Sequence, residues 1–223
     1  MAVVASVVAA LAGQPSMAQT LDRRIYVIGD SVVLGARDAV IAALPEWTVT
    51  VDAQQDLSLL GALEILTQLR PEIGDIAVVE LGYDDGANLG AFRDHIDRAM
   101  AILAGVRTVV WLDQRQFAPG RDAMNAELRA AQDRYPNLRV VDWNAVVAAA
   151  PDSVYADGIH LTPAGQARMA QVIRAAVVSA ATTTTTSPSR SSSKRTTRTS
   201  HGHTRSRTHR RTSHRHRRRT SSG

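Results

Sequence analysis

The chain has 223 residues, enough for one domain with a substantial core, and it contains no cysteine, which excludes disulfide bonds and thiolate metal sites. Its formal charge of +5 is unevenly distributed, because residues 182–223 hold 12 of the 26 Lys and Arg residues and no acidic residue. Residues 1–181 therefore carry 14 basic and 21 acidic side chains, a formal charge of −7. The positive charge of the whole chain thus does not indicate that the remainder binds nucleic acid.

The first 20 residues are small and apolar, and they end near Ser16-Met17-Ala18, a small-x-small pattern. An apolar run followed by this pattern is typical of a secretory signal peptide, although no Lys or Arg precedes the run. The run is too short for a normal transmembrane helix, so we expect no stable membrane span. We predict an export segment over residues 1–20. The alternatives are an Ala- and Val-rich N-terminal helix or a start codon assigned slightly wrongly.

Between Arg24 and Ala181, apolar β-branched runs alternate with longer stretches of helical periodicity. The predicted strands are 25–28, 48–51, 76–81, 108–112 and 138–142. The predicted helices are 32–44, 57–69, 89–103, 122–135 and 163–180. Strands that alternate with helices imply βαβ units, and therefore an α/β fold with a parallel sheet covered on both faces.

Polar residues follow several of the predicted strands. Ser31 follows the first strand, residues 82–85 follow the third, and residues 114–115 follow the fourth. Asp157 and His160 lie in the loop before the last helix. Because sites in parallel sheets lie at the carboxyl ends of the strands, we expect these residues to converge on one edge.

A Ser-His-Asp relay is the chemistry that these residues indicate. Ser31 is predicted at the start of a helix, where free backbone N–H groups stabilise an oxyanion. Asp157 precedes His160 by three positions, a spacing that lets the carboxylate reach the imidazole Nδ1–H and fix its tautomer. The alternative interpretations are an N-cap at Ser31 and an Asx turn at Asp157 with a surface histidine. His95, the other histidine before residue 182, lies in a polar stretch predicted to be a solvated helix face.

The segments Gly29-Asp30-Ser31 and Asp157-Gly158-Ile159-His160 resemble the first and last sequence blocks of the SGNH (GDSL-like) hydrolase superfamily. The segments 125–128 and 141–143 are also similar to parts of the SGNH domains of bacterial cell-envelope acyltransferases and esterases. The resemblance covers residues 24–181. It implies a three-layer α/β/α sandwich with sheet order 2-1-3-4-5, and a serine nucleophile that needs no metal or cofactor. It also implies ester substrates, often the acetyl esters of glycans.

Two positions depart from the pattern of the family. Its third block is Gly-x-Asn-Asp or Gly-x-Asn-Gly, whose Asn donates to the oxyanion, whereas this chain has Gly82-Tyr83-Asp84-Asp85. Asp84 can serve as a donor only when protonated, and Asp85, a like charge, would raise a neighbouring pKa. The glycine of the second block is absent from residues 52–56, so we expect the backbone N–H of Gln55 to act in its place.

Arg115 is a candidate for contact with substrate, since a guanidinium pairs well with a carboxylate or phosphate of a glycan. The alternative is an ion pair with Asp113 or Asp85.

Residues 182–223 are Thr, Ser, Arg and His of low complexity, and we predict that they are disordered. As an exported segment they would bind anionic envelope polymers by counterion release, and in the cytoplasm they would bind nucleic acid equally without sequence preference. The segment has no aromatic residues for base stacking, so specific single-strand recognition is not expected. A third alternative is a solubilising tail that carries O-linked glycans. Its histidines lack the spacing of a zinc site.

Together these features predict a secreted or envelope-associated serine esterase that acts on a small ester or an acylated glycan. One alternative is an O-acyltransferase, which would need a partner to supply the acyl group. Another is a catalytically weakened module of the same fold that binds glycans. A cytoplasmic location is the alternative to export. A flavin or nucleotide binder of the same topology would need a Gly-rich phosphate loop, which the sequence lacks.

Overall fold

The computed structural model describes residues 21–183, and a sheet of five strands lies at its centre. The strands are β1 (Arg24–Gly29), β2 (Thr48–Ala53), β3 (Ile76–Glu80), β4 (Thr108–Leu112) and β5 (Leu138–Val141). Neighbouring strands are all parallel, and their order is β2-β1-β3-β4-β5. The α/β class and the order 2-1-3-4-5 are therefore confirmed.

Six α-helices surround the sheet. They are α1 (Ser31–Ala43), α2 (Leu59–Leu69), α3 (Leu89–Ile102), α4 (Arg121–Arg134), α5 (Trp143–Ala149) and α6 (Pro163–Thr183). Four of them begin after a residue whose side chain accepts a backbone N–H of the first turn, which satisfies a donor that the helix itself leaves free. These N-caps are Asp30, Ser58, Asn88 and Asp142.

The helices form two layers because successive strand residues point to opposite faces of the sheet. In β1, Tyr26 and Ile28 pack against the layer of α2, α3 and α4. Ile25 and Val27 pack against the layer of α1, α5 and α6. All five residues of β3 are buried, as expected for a central strand covered on both faces. The structure is thus a three-layer α/β/α sandwich.

Helices α1 and α6 pack against each other on one face. Arg174 of α6 donates hydrogen bonds to the carbonyl of Ala43, the last residue of α1, and to the Glu46 carboxylate just beyond it. These contacts fix the far end of α1 to the middle of α6.

All five predicted strands and all five predicted helices are present, and no bound shifts by more than three residues. The prediction that α6 begins at Pro163 after Thr162 is confirmed, and the Thr162 hydroxyl accepts the N–H of Gly165. Helix α5 was missed. Asp142 was assigned to the last strand, but its carboxylate accepts the N–H of Ala145 and begins a helix instead.

None of the helices between residues 21 and 183 combines the length and the apolarity needed to span a membrane. The predicted export segment, residues 1–20, lies outside the described residues, as do residues 184–223 of the predicted tail. The domain boundaries proposed from the sequence stay predictions.

Gly165 of α6 lies against the backbone of Ser153. A Cβ at this position would lie 1.8 Å from the carbonyl oxygen of Ser153, whereas a Cβ at Gly35 in α1 would have nothing within 4 Å. We expect Gly165→Ala to lower the free energy of unfolding by roughly 1–3 kcal/mol, because the backbone must move. The matched variant Gly35→Ala should raise it by about 0.5–1 kcal/mol, because alanine favours the helix. Urea unfolding of both variants measures this, and equal effects would contradict the packing.

Candidate active site

Ser31 is the first residue of α1, directly after the turn that leaves β1. Gly29 makes this turn possible, since a Cβ there would lie 2.5 Å from Cγ2 of Val33. Asp30 caps the helix by accepting the N–H of Val32 at 2.9 Å. Within residues 21–183, the N–H of Ser31 itself has no hydrogen-bond acceptor. It is therefore available to a ligand at the helix N-terminus, where the partial charge is positive.

Asp157 and His160 lie in the loop between the 3₁₀ helix Pro151–Ser153 and α6. Gly158, within this loop, adopts a φ of 73°, in the left-handed region that favours glycine. Asp157 Oδ1 accepts the N–H groups of Ile159 at 2.8 Å and His160 at 3.1 Å. These bonds hold the carboxylate in one orientation.

The structure brings Ser31, His160 and Asp157 together, as the sequence predicts. Asp157 Oδ2 lies 2.8 Å from Nδ1 of His160, and Nε2 of His160 lies 3.1 Å from Oγ of Ser31. The His160 and Asp157 side chains are 50% and 46% exposed, so the line of three groups is open to solvent. The Ile159 N–H and then His160 hold the pKa of Asp157 below its usual value, which keeps the carboxylate ionised as the partner of an imidazole.

The loop after β2 contains Gln55, which is exposed. The N–H of Gln54 donates to the carbonyl of Gly29, so the loop is fixed beside the Ser31 turn. The next residue, Asp56, adopts a φ of 56°, and it is the only non-glycine residue between 21 and 183 with a positive φ. Asp56 thus occupies the left-handed conformation that favours glycine. The sequence indicates Gln55 but not Asp56, because amino-acid composition does not show which residue of a loop adopts a positive φ.

Gly82 follows β3 and adopts a φ of 134°. A Cβ at Gly82 would lie 1.7 Å from Nε2 of Gln114, so the buried Gln114 side chain requires glycine here. Arg121, the first residue of α4, donates to the carbonyls of Gly82 and Tyr83 at 2.8 and 3.0 Å. Residue 114 was expected among the polar residues at this edge, but its burial and its role with Arg121 in shaping this loop were not predicted.

Asp84 is exposed at the tip of this loop. Partial desolvation, and then the charges of Asp56 and Asp85, raise the pKa of Asp84 above its usual value. Charge repulsion from Asp85 was expected, whereas the contribution of Asp56 was not. His160 and Arg121 act in the opposite direction and are weaker.

Asp85 contacts the start of α2 and the His95 side chain of α3. Its Oδ2 accepts the N–H of Leu59 at 2.8 Å, and its Oδ1 lies 3.3 Å from Nδ1 of His95. The His95 side chain is only 15% exposed, so the expectation of a solvated helix face is wrong for this residue. The amphipathic pattern did not distinguish a half-buried histidine from an exposed one.

Arg115 lies at the same edge as the Ser31–His160 pair. Its backbone N–H donates to the Tyr83 hydroxyl at 2.7 Å, and its guanidinium packs over Gly158. The two ion pairs offered as alternatives do not form, because Asp113 binds Arg129 and Asp85 binds His95. Among the described residues, no acceptor binds the Arg115 guanidinium.

The residues between 21 and 183 contain no group of three or more His, Cys, Asp or Glu side chains with the spacing of a metal site.

Solved structures share this architecture, although no protein-family model and no curated protein matches the sequence. The C-terminal catalytic domain of peptidoglycan O-acetyltransferase A of Streptococcus pneumoniae is 20% identical, with a TM-score of 0.62 over 76% of this chain and 98% of that domain. A family 3 carbohydrate esterase of Clostridium thermocellum is 14% identical, with a TM-score of 0.59 over 72% and 98% of the two chains. A G-D-S-L family lipolytic protein of Veillonella parvula is 16% identical, with a TM-score of 0.56 over 70% and 97%. The fold of this chain is therefore that of the SGNH (GDSL-like) hydrolases.

Proposed function

We propose that the chain is a serine ester hydrolase whose nucleophile is Ser31, whose base is His160 and whose orienting carboxylate is Asp157. The observation that carries this proposal is the unbroken hydrogen-bonded line from Asp157 through His160 to Ser31 Oγ. The likeness in fold to esterases and to an acetyltransferase domain supports the general reaction class.

The reaction begins when Oγ of Ser31 attacks the ester carbonyl and its proton passes to Nε2 of His160. The Asp157 carboxylate stabilises the imidazolium that results. His160 then gives the proton to the leaving alcohol as the C–O bond breaks, which leaves an acyl group on Ser31. A water molecule attacks this acyl-enzyme and loses its proton to His160. His160 then gives that proton to Oγ of Ser31 as the acyl C–O bond breaks, which releases the acid and the free serine.

The tetrahedral oxyanion would be held by the N–H of Ser31 and by an N–H of the Gln55–Asp56 turn. Within residues 21–183 neither Gln55 nor Asp56 donates its N–H to another group, so both are available. Asp84 takes the place of the asparagine donor, and it acts only in its protonated form, because an ionised carboxylate repels an oxyanion.

We propose an acylated, anionic glycan or a small anionic ester as the substrate. The unpaired guanidinium of Arg115 beside the Asp157 loop supports an acidic group on the substrate, since Arg binds carboxylate and phosphate through paired N–H donors. Two of the solved proteins with this fold are a peptidoglycan O-acetyltransferase and a carbohydrate esterase, which supports a glycan.

O-acyl transfer is the second candidate, favoured by the fold shared with the acetyltransferase domain. The same acyl-Ser31 intermediate would then be attacked by a sugar hydroxyl in place of water, and a partner would supply the acyl donor. The third candidate is a catalytically weakened module that binds glycans. Only Asp84 favours it, because an ionised carboxylate at the oxyanion position would impair catalysis.

We infer export to the cell envelope from the apolar residues 1–20 and the basic residues 182–223, which would bind anionic polymers there. N-terminal sequencing of secreted protein that begins after Ala18 would support this location, and recovery of the intact chain in the cytoplasm would contradict it.

Ser31→Ala tests the proposed nucleophile. We expect its hydrolysis of 4-nitrophenyl acetate to fall on the order of 10³-fold or more below the wild type, because no acyl-enzyme can form. Asp157→Asn should retain the fold and lose much of kcat. Wild-type turnover no greater than that of Ser31→Ala would count against ester hydrolysis.

Asp84→Asn tests the oxyanion position. Since the raised pKa of Asp84 still leaves it ionised in alkaline solution, we expect the amide to increase kcat about 10²-fold near pH 8. The gain should shrink as the pH falls, because the raised pKa of Asp84 favours protonation of the wild-type carboxyl, which can then donate. The ratio of the two pH–rate profiles measures this. A loss of activity at every pH would show that the carboxylate itself has a positive role.

Arg115→Ala tests the acidic group on the substrate. We expect KM for the mono-4-nitrophenyl ester of succinic acid to rise about 10-fold, with little change for neutral 4-nitrophenyl acetate. Arg37→Ala, on the exposed side of α1, is the matched loss of one positive charge and should change neither KM. If the two substitutions raised KM for the anionic ester equally, Arg115 would act only through the net charge of the protein, and direct binding of the substrate would be contradicted.

A further inference from the structure

Two carboxyl groups lie fully buried beneath the Ser31 turn, and the proposed reaction uses neither of them. Asp30 and Glu80 are each 0% exposed. Asp30 follows β1, and Glu80 ends β3 in register with Gly29 of β1, so the two groups lie on neighbouring strands at one edge of the sheet. The two carboxyl groups are close enough for each to shift the pKa of the other.

The hydrogen bonds around this pair are incomplete if both groups are ionised. Asp30 Oδ1 accepts the N–H of Val32, but Asp30 Oδ2 and both Glu80 oxygens have no donor among the described residues. No Arg, Lys or His between residues 21 and 183 forms a salt bridge with either group. Two adjacent buried carboxylates with no cation are strongly unfavourable, so the pair must hold a proton.

The proton belongs on Glu80. The N–H of Val32 stabilises a negative charge on Asp30, whereas nothing comparable reaches Glu80. A protonated Glu80 can donate its O–H to the otherwise unsatisfied Asp30 Oδ2. One proton then removes one buried charge and supplies Asp30 Oδ2 with its missing donor.

We propose that Glu80 is a neutral positioning residue, whose O–H donates to Asp30 and thereby fixes the Ser31 turn to the loop that carries Gly82 and Asp84. Asp30 immediately precedes Ser31, and Glu80 lies two residues before Gly82. The hydrogen bond thus connects the two loops that meet at the oxyanion position. Glu80 itself touches no reacting atom. The predicted effect of Glu80 on the reaction rate rests on the proposed ester hydrolysis. The protonated state of the buried pair does not depend on that proposal.

The charged groups that face the pair favour a retained proton. Burial, followed by Asp30, raises the pKa of Glu80 well above its usual value, and Asp84 adds to the effect. Burial raises the pKa of Asp30 to about 7, with Asp84 acting in the same direction and His160 in the opposite one. Burial and then Glu80 also raise the pKa of Tyr83, so the phenol stays neutral.

These shifts set the sign of a pH effect on stability. The folded protein holds protons that an unfolded chain releases near pH about 4, so the stabilisation is complete below that pH. It is lost progressively as the pH rises from about 4 through neutrality towards the raised values of the folded state. Glu80→Gln cannot lose a proton and can still donate an N–H to Asp30, so it should lose less stability over this range.

The first test is an infrared difference spectrum of the full-length protein near pH 8. We expect the wild type to show the carbonyl band of a buried protonated carboxylic acid, and Glu80→Gln to lack it. Glu64→Gln, an exposed site on α2, is the matched control and should retain the band. Between pH about 5 and about 9, the melting temperature of Glu80→Gln minus that of the wild type should increase as the pH rises. Absence of a band that depends on Glu80 would overturn the proposal.

The second test separates positioning from stability. We expect Glu80→Ala to lower kcat for 4-nitrophenyl acetate by on the order of 10-fold to 100-fold at nearly constant KM, and Glu80→Gln to restore most of it. Full activity in a folded Glu80→Ala would overturn the positioning role. If that variant does not fold, kcat of Glu80→Gln decides, and a loss as large as 10-fold would contradict it. If the wild type shows no activity that depends on Ser31, the esterase proposal fails, while the infrared band still decides the buried pair.

Discussion

The hydrogen bond between Ser31 and His160 joins two residues that are 129 positions apart in the chain, and the described fold is what brings them together. Ser31 is placed by the turn between β1 and α1, and His160 is placed by a loop that ends at α6. Both helices pack on the same face of a parallel sheet, so their N-termini lie at the carboxyl edge of the strands. The sheet order, with β1 between β2 and β3, also puts the Gln55–Asp56 turn and the Gly82 loop on either side of the serine.

Several acidic residues surround the site, and the structure gives each carboxylate different surroundings. Asp157 accepts two backbone N–H groups and stays ionised, as the partner of an imidazole must. Asp85 is held by the N-terminus of α2 and by His95. Partial desolvation, and then the charges of Asp56 and Asp85, raise the pKa of Asp84. All three residues are aspartates, so the differences between them arise from the hydrogen-bond donors and charges around each carboxylate.

The regular elements could be predicted because apolar runs and helical periodicity report burial directly. Asp157 and His160 could be predicted because their interaction is local, within one loop. Helix α5 could not, since its seven Ala- and Val-rich residues share the composition of a strand. Asp56 was missed because its left-handed backbone is imposed by the loop, and Glu80 because the apolar run of β3 conceals a carboxyl whose partner is distant in sequence. The free guanidinium of Arg115 could not be predicted, because its two candidate partners, Asp113 and Asp85, form ion pairs with Arg129 and His95 that depend on the fold.

The packing of α1 on α6 has a mechanical consequence. The proposed nucleophile starts one helix and the proposed base precedes the other, so a slide of one helix along the other changes the length of the hydrogen bond that joins them. Arg174 resists this slide by bonding to the C-terminal end of α1, far from the reacting atoms. The precision of the site is therefore governed by a helix–helix interface as well as by the sheet. An ion pair remote from Ser31 and His160 thus contributes to the alignment of the proposed catalytic groups.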